Sequence, residues 1–204
     1  STHLSIFRQL NLEGNVVSTP VELEEVAKLC KVVLDTELKS MCRLAGLDDN
    51  QLVLVPNKRV MTAVEKCEKK YPTIQGVREG PSLSWARDMV RCSILCQDGE
   101  EFLNVVKVFT HHDTFQVVRL KNYFSKVDST HFRRFNMTVK IPLQANGRVI
   151  FHLAEVQLHL WSIYFFKSEH EELMHAPYEF FRHLFKRNVK AVHANLDSAD
   201  TGWM

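Results

Sequence analysis

Residues 148–160 read RVIFHLAEVQLHL. In an extended strand, side chains alternate between two faces. Phe151, Leu153, Glu155, Gln157 and His159 then share one face, and Ile150, His152, Ala154, Val156, Leu158 and Leu160 the other. The second set is almost wholly apolar and suits a buried face. The first carries a carboxylate, an amide and an imidazole at every second position. An ionised Glu in mid-strand is costly to bury without a partner. Either a metal, a cation or a substrate pairs with Glu155, or the residue faces water at an edge.

The strand organises its surroundings. Asn146-Gly147 just before it is the signature of a type I′ hairpin turn. The turn pairs it antiparallel with a strand expected at Phe132–Ile141, where Phe135, Met137, Val139 and Ile141 share a face. Upstream, FQVVRL at 115–120 reads as a strand, followed by a polar connection from Lys121 to Thr130. DMVRCSILC at 88–96 reads as a buried strand opened by an acid, and a helix with Phe102, Leu103, Val105, Val106 and Phe109 inside follows Gly99. Residues 51–55 form a short strand ended by Pro56, and Asn57–Lys70 a lysine-rich helix.

Nearer the N-terminus, Leu23, Val26, Ala27, Cys30, Val33, Leu34, Leu38, Met41 and Leu44 recur at three and four, the stripe of an amphipathic helix. Thr19 suits its N-cap and Gly46 its stop. Residues 71–84 hold Pro72, Gly76, Gly80 and Pro81 and read as a loop. Trp161–Lys167 and Glu169–Asn188 read as helix, interrupted near Pro177. The order implies an α+β fold with a mixed, mostly antiparallel sheet of about five strands flanked by helices. One domain is expected over 1–204, with 1–50 as an N-terminal helical arm and 191–204 as an irregular tail.

The chain has 204 residues, enough for a real core, and a formal net charge of +2, too small to mark a nucleic-acid binder. No apolar run is long enough to span a membrane. The five cysteines, Cys30, Cys42, Cys67, Cys92 and Cys96, include no Cys-x-x-Cys pair. That argues against a disulfide scaffold or a zinc ribbon and for a reducing compartment inside a cell, cytoplasm or an organelle matrix such as the mitochondrial one. Walker A, Rossmann, Gly-x-Ser-x-Gly and His-Glu-x-x-His motifs are all missing.

What remains is a pair of acids at strand positions, Asp88 and Glu155, with Arg91, Arg119, Lys121, Lys126, Arg133 and Arg134 between them. Two carboxylates from separate strands suit Mg²⁺, which takes hard oxygen ligands and shares them with phosphates. Fixed cations suit phosphoryl transfer. Each residue also has a plainer reading. Asp88 can flank its strand, Glu155 can pair with Arg91 or Arg119, and His159 can be a sheet histidine.

This series resembles the synthetase domain of the RelA/SpoT family, nucleotidyltransferase-like enzymes that move pyrophosphate from ATP to GDP or GTP. Asp88-Met89-Val90-Arg91 looks like the strand whose Asp ligates the metal. Arg119-Leu120-Lys121-Asn122-Tyr123 looks like the basic segment that handles phosphates. Glu155-Val156-Gln157-Leu158-His159 looks like the strand whose Glu is the second acid. Lys58 and Lys66 fall where a family lysine pair enters a helix, and His170 and Tyr178 resemble residues of the closing helix. The resemblance covers roughly Lys58 to Arg182. It implies Asp88 and Glu155 as catalytic and metal-binding acids with Mg²⁺, and Lys58, Lys66, Arg91, Arg119, Lys121, Phe132, Gln157 and His159 as nucleotide-binding residues for ATP and a guanine nucleotide.

The chain departs from the pattern as well. His131-Phe132 stands where a Gly-Tyr pair stacks on guanine, Asn122 replaces an acid, and Thr62 stands where an arginine is usual. These departures open a second expectation, a lapsed site in a binding subunit of a larger ribosomal or organellar assembly. Trp161, Tyr164, Phe165, Phe166, Phe180 and Phe181 exceed what one inward face needs, and Arg182, His183, Lys186, Arg187 and Lys190 are basic. The region 161–190 would then take a protein partner or RNA phosphate.

Overall fold

The computed structural model describes residues 8–70, 82–125 and 133–170. The chain divides into two compact units, Ser1–Trp161 and Ser162–Met204. The first holds α1 (Pro20–Leu44), β1 (Leu52–Leu54), α2 (Val60–Lys70), β2 (Val90–Cys96), α3 (Gly99–Thr110), β3 (Gln116–Asn122), β4 (Phe135–Ala145) and β5 (Arg148–Leu160). The strands form one sheet in the order β1-β2-β5-β4-β3. Only β2 and β5 run parallel. The expected mixed, mostly antiparallel sheet of five strands flanked by helices is present.

The Asn146–Gly147 turn has φ of 49° and 71°, the left-handed backbone a type I′ turn requires. It fixes the β4–β5 register: Asn136 stands opposite Gln157, Thr138 opposite Glu155 and Ile141 opposite His152. On the far side of β5, Arg91 is level with Glu155 and Ser93 with Gln157. The alternation of β5 is therefore shared across the sheet. Cys92, Ile94, Met137, Val139, Ile141, Ala154, Val156 and Leu158 are buried on one face. α1 and α3 cover that face, with the Phe102 and Phe135 rings edge to face at 5.6 Å.

α1 begins at a capping box. The Glu22 N–H donates to Thr19 Oγ1 at 3.3 Å, and the Thr19 N–H donates to Glu22 Oε2 at 3.1 Å. It ends before Gly46, at φ 83°. The segment expected as an N-terminal arm thus supplies a helix whose Leu23, Val26, Cys30, Leu34 and Leu38 are fully buried. Gln9 closes the sheet where β2 has not yet begun. Its Nε2 donates to the carbonyls of Ala86 (2.5 Å) and Leu153 (2.9 Å), and its Oε1 accepts the Leu153 N–H at 2.8 Å.

Several boundaries differ from expectation. The strand placed at Asp88–Cys96 starts at Val90, so Asp88 precedes it. The helix placed at Asn57 starts at Val60. Lys121 and Asn122, assigned to a connection, are the last two residues of β3. None of the five cysteines is in a disulfide and all are buried, and burial pushes the Cys42 thiol up to about 11, so they serve packing.

Of the second unit, residues 162–170 are described. They continue α4 (Trp161–Glu169), in which Phe165 and Phe166 are exposed and no residue is buried. The Phe166 ring stacks on His170 at 4.4 Å. The rest of the helical region expected to 188 lies outside the described residues.

Candidate active site

Opposite the covered face, the sheet presents Arg91, Glu155, Gln157, Asn136, Thr138, Arg119 and Lys121, brought to one side by the register of four strands. Glu155 is half-buried. Its partners are two neutral amides, Asn136 Nδ2 at 2.5 Å and Gln157 Nε2 at 2.9 Å, both donating to Oε1. The arginine partners considered for it are not among its hydrogen bonds or ion pairs. Because both amides converge on Oε1, Oε2 is the oxygen left for chemistry. Arg91 and Arg119 are exposed on the same face, and Lys121 Nζ lies 3.3 Å from the Tyr123 hydroxyl. The Arg134 guanidinium carbon lies 4.6 Å from the Tyr123 ring centroid. His159 is buried.

Asp88 sits in a second cluster. Its Oδ2 takes Lys58 Nζ at 3.0 Å and Lys66 Nζ at 2.5 Å. Lys58 is fixed through its backbone, whose N–H donates to the Met89 carbonyl at 2.9 Å. Burial pushes the Asp88 carboxyl up, but the Lys66 and Lys58 ammonium groups outweigh it and hold the carboxyl below its usual range. Asp88 lies three residues before Arg91, the residue level with Glu155. No described contact joins the two acids.

The donor set can be tested against magnesium. Both acids offer hard oxygens, which that ion prefers. Among the described residues, however, no group of three or more His, Cys, Asp or Glu side chains gathers. The protein alone makes no closed cage. One or two carboxylates completed by substrate phosphates remain a fit.

Two clefts open nearby, one beside Lys58 and one beside Arg119. One, of about 800 Å³, lies between α1 and the start of α2 and is lined by Lys28, Lys31, Asn57, Lys58 and Arg59. The other, of about 770 Å³, runs along β3 and is lined by His112, Gln116, Arg119, Lys140 and Phe151. Asn136, Lys28, Lys31 and Arg59 were not singled out from sequence. Asn136 was within reach: counting back from the Asn146–Gly147 turn sets it opposite Gln157 and diagonal to Glu155. Asn122, at the family's acid position, takes the N–H groups of Phe124 (2.9 Å) and Ser125 (3.3 Å) on Oδ1 and so shapes the turn after β3. Phe132, Lys126, His131 and Tyr178 lie outside the described residues. His170 belongs to the second unit, where its Nδ1 contacts the Phe166 carbonyl at 2.9 Å.

No family model matches the chain. A curated relative, GTP pyrophosphokinase YwaC of Bacillus subtilis, is 26% identical over 85 residues, which are 41% of this chain and 40% of that protein. The match thus spans about two fifths of the relative. Among solved structures, small alarmone synthetase 1 of Bacillus subtilis bound to its product pppGpp superposes with a TM-score of 0.59 at 17% identity, over 85% of this chain and 91% of that one. The same synthetase bound to AMPCPP gives 0.54 at 19% identity, over 85% and 89%. Small alarmone synthetase 2 gives 0.57 at 20% identity, over 87% and 93%. The RelA/SpoT-like resemblance carried by the motifs holds for the fold: the chain folds like the small alarmone synthetases.

Proposed function

We propose that this chain binds ATP and transfers its pyrophosphate to a hydroxyl of a guanine nucleotide, GDP or GTP, at a rate lowered by its departures from the family pattern. The observation that carries the reading is Glu155: a carboxylate on an open sheet face, oriented through one oxygen by two amides, with Arg91, Arg119 and Lys121 on the same face. The synthetase fold and its relatives' nucleotide complexes support it.

In this reading ATP lies between the Lys58/Lys66 segment and the strand ends, with its phosphates on those lysines. Arg119 and Lys121 hold the phosphates of the acceptor. The acceptor hydroxyl attacks the β-phosphorus, so a new O–P bond forms, and the bond from that phosphorus to the α,β-bridging oxygen breaks. AMP leaves with the electron pair, and the hydroxyl proton passes to Glu155 Oε2. Bound magnesium, held by Asp88 and Glu155, would offset negative charge on the phosphates. The resemblance assigns Phe132, outside the described residues, to stacking on the acceptor base, and Gln157 and His159 of β5 to the nucleotide as well.

The test is incubation with ATP, Mg²⁺ and either GDP or GTP, following AMP release and the pyrophosphorylated product. Product that disappears in Glu155→Gln supports transfer. ATP binding without AMP release under any acceptor turns the reading toward a lapsed site. The exposed Phe165 and Phe166 of α4 favour that second reading, a subunit that docks a protein or RNA through 161–190.

A further inference from the structure

The open face of the sheet continues past Glu155. Thr138 on β4 stands directly opposite Glu155 on one side and Arg119 on the other. Its side chain is short, so no long residue of β4 stands between carboxylate and guanidinium at this row. Two strand spacings, about 10 Å, separate them. Lys140, the next residue of β4 on the same face, is diagonal to Glu155, about 7–8 Å away across the backbones. Arg119 and Lys140 both line the cleft of about 770 Å³ along β3. Among the described residues neither cation meets a carboxylate. The Lys140 ammonium lies 4.0 Å from the centroid of the Phe151 ring, which orients the charge without neutralising it. The exposed Asp113 lines the cleft too, so its lysine and arginine outnumber its carboxylates two to one. A guanidinium fork and a point-like ammonium, both unpaired, suit a group with several anionic oxygens. A nucleotide that offers a hydroxyl to Glu155 carries such a group at some remove from that hydroxyl.

We propose that the cleft along β3 takes the 5′-phosphate chain of the acceptor, with Arg119 on its inner phosphates and Lys140 on the terminal one, so that the chain prefers a nucleoside triphosphate to a diphosphate. This inference rests on the transfer reading above and adds to it Lys140 and a choice between GTP and GDP.

Calorimetry on the full chain with GTP and with GDP tests it, and AMP release from ATP is followed in the same proteins. The wild type should bind GTP about tenfold more tightly than GDP. Lys140→Met keeps an unbranched stem on the Phe151 ring and removes the charge. It should bind GTP about tenfold more weakly than the wild type and change GDP by less than about threefold, so the gap closes. Arg119→Gln, at an exposed position, should weaken both nucleotides about tenfold. Equal affinity of the wild type for GTP and GDP, the same gap in Lys140→Met, or wild-type binding of both nucleotides by Arg119→Gln overturns the cleft. A gap that closes in Lys140→Met without AMP release from any of the proteins upholds the cleft and removes transfer. AMP release with an unchanged gap overturns the cleft and leaves transfer in place. No binding of either nucleotide at millimolar concentration overturns both.

Discussion

His152 and Glu155 stand three residues apart on β5 and meet opposite conditions. His152 points into the covered face, fully buried, with neither ring nitrogen hydrogen-bonded. Burial drives its pKa down to about 3, so it sits in the core as a neutral, bulky side chain. Glu155 faces the open side, half-buried, with two amide donors on one oxygen. One strand thus supplies a face that admits polar groups only without charge and a face built to hold charge. The chemistry we propose for this sheet belongs to the second.

The largest expected effect separates function from packing. In Glu155→Gln the new amide oxygen still accepts from Asn136 and Gln157, so the sheet keeps its shape. Stability should stay within about 1 kcal/mol of wild type by urea unfolding. Transfer should fall about 10³-fold, some 4 kcal/mol of barrier. Unchanged turnover would remove Glu155 from the chemistry, and a large loss of stability would make it a structural residue like those behind it.

Next comes the junction of the two faces. Gln9→Ala strands the N–H and C=O of Leu153 and the carbonyl of Ala86, in a place closed to water. Unsatisfied buried groups make the loss about 3 kcal/mol. The urea midpoint should drop accordingly, and a shift under 1 kcal/mol would show that the β5 edge closes without Gln9.

How much of this was legible follows range in sequence. The β5 alternation, the Asn146–Gly147 hairpin, the α1 stripe and its Thr19 cap are local patterns, and the structure keeps them, except that Leu44 at the end of the stripe is exposed. The resemblance named Lys58, Lys66 and Asp88, but the chain alone did not say that they meet, because 30 and 22 positions of sequence separate the lysines from the acid. Gln9 reaches a strand 144 residues away from a stretch without period, and nothing local marks it. Lys121 and Asn122 read as connection because charged and amide residues are weak strand formers. Pairing with β4 overrode that preference. Glu155 was given arginine partners on charge alone, whereas the hairpin register places two amides nearer.

A smaller effect probes His152 by pH. The unfolded chain takes up a proton at this residue near its ordinary 6.5, and the folded chain only near 3. The folded pKa is depressed, so the proton favours unfolding, and stability falls as pH drops from 6.5 toward 3. At pH 5 the loss is about 2 kcal/mol. Asp88 does not confound this window. Its folded pKa lies below the ordinary 3.8, so its contribution is intact above that value and lost as pH falls below it. His152→Leu should therefore gain about 2 kcal/mol relative to wild type between pH 7.5 and pH 5, read from urea midpoints. Equal pH dependence in the two proteins would mean that water reaches the imidazole and that the covered face is less closed than its neighbours imply.

The smallest effect asks what holds the helix over that face. Thr19→Ala removes the side-chain half of the α1 capping box while Glu22 still reaches the Ser18 and Thr19 N–H groups. Loss of a threonine cap costs about 1 kcal/mol. Each of the fully buried Leu23, Leu34 and Leu38 contributes about 1.5–3 kcal/mol by leaving water. Burial should therefore outweigh the cap, and Thr19→Ala should lower stability by about 1 kcal/mol without changing transfer. If the substitution instead abolishes transfer, α1 acts on the open side as well, through the cleft to which it contributes Lys28 and Lys31, and the two faces of the sheet are less independent than their residues suggest.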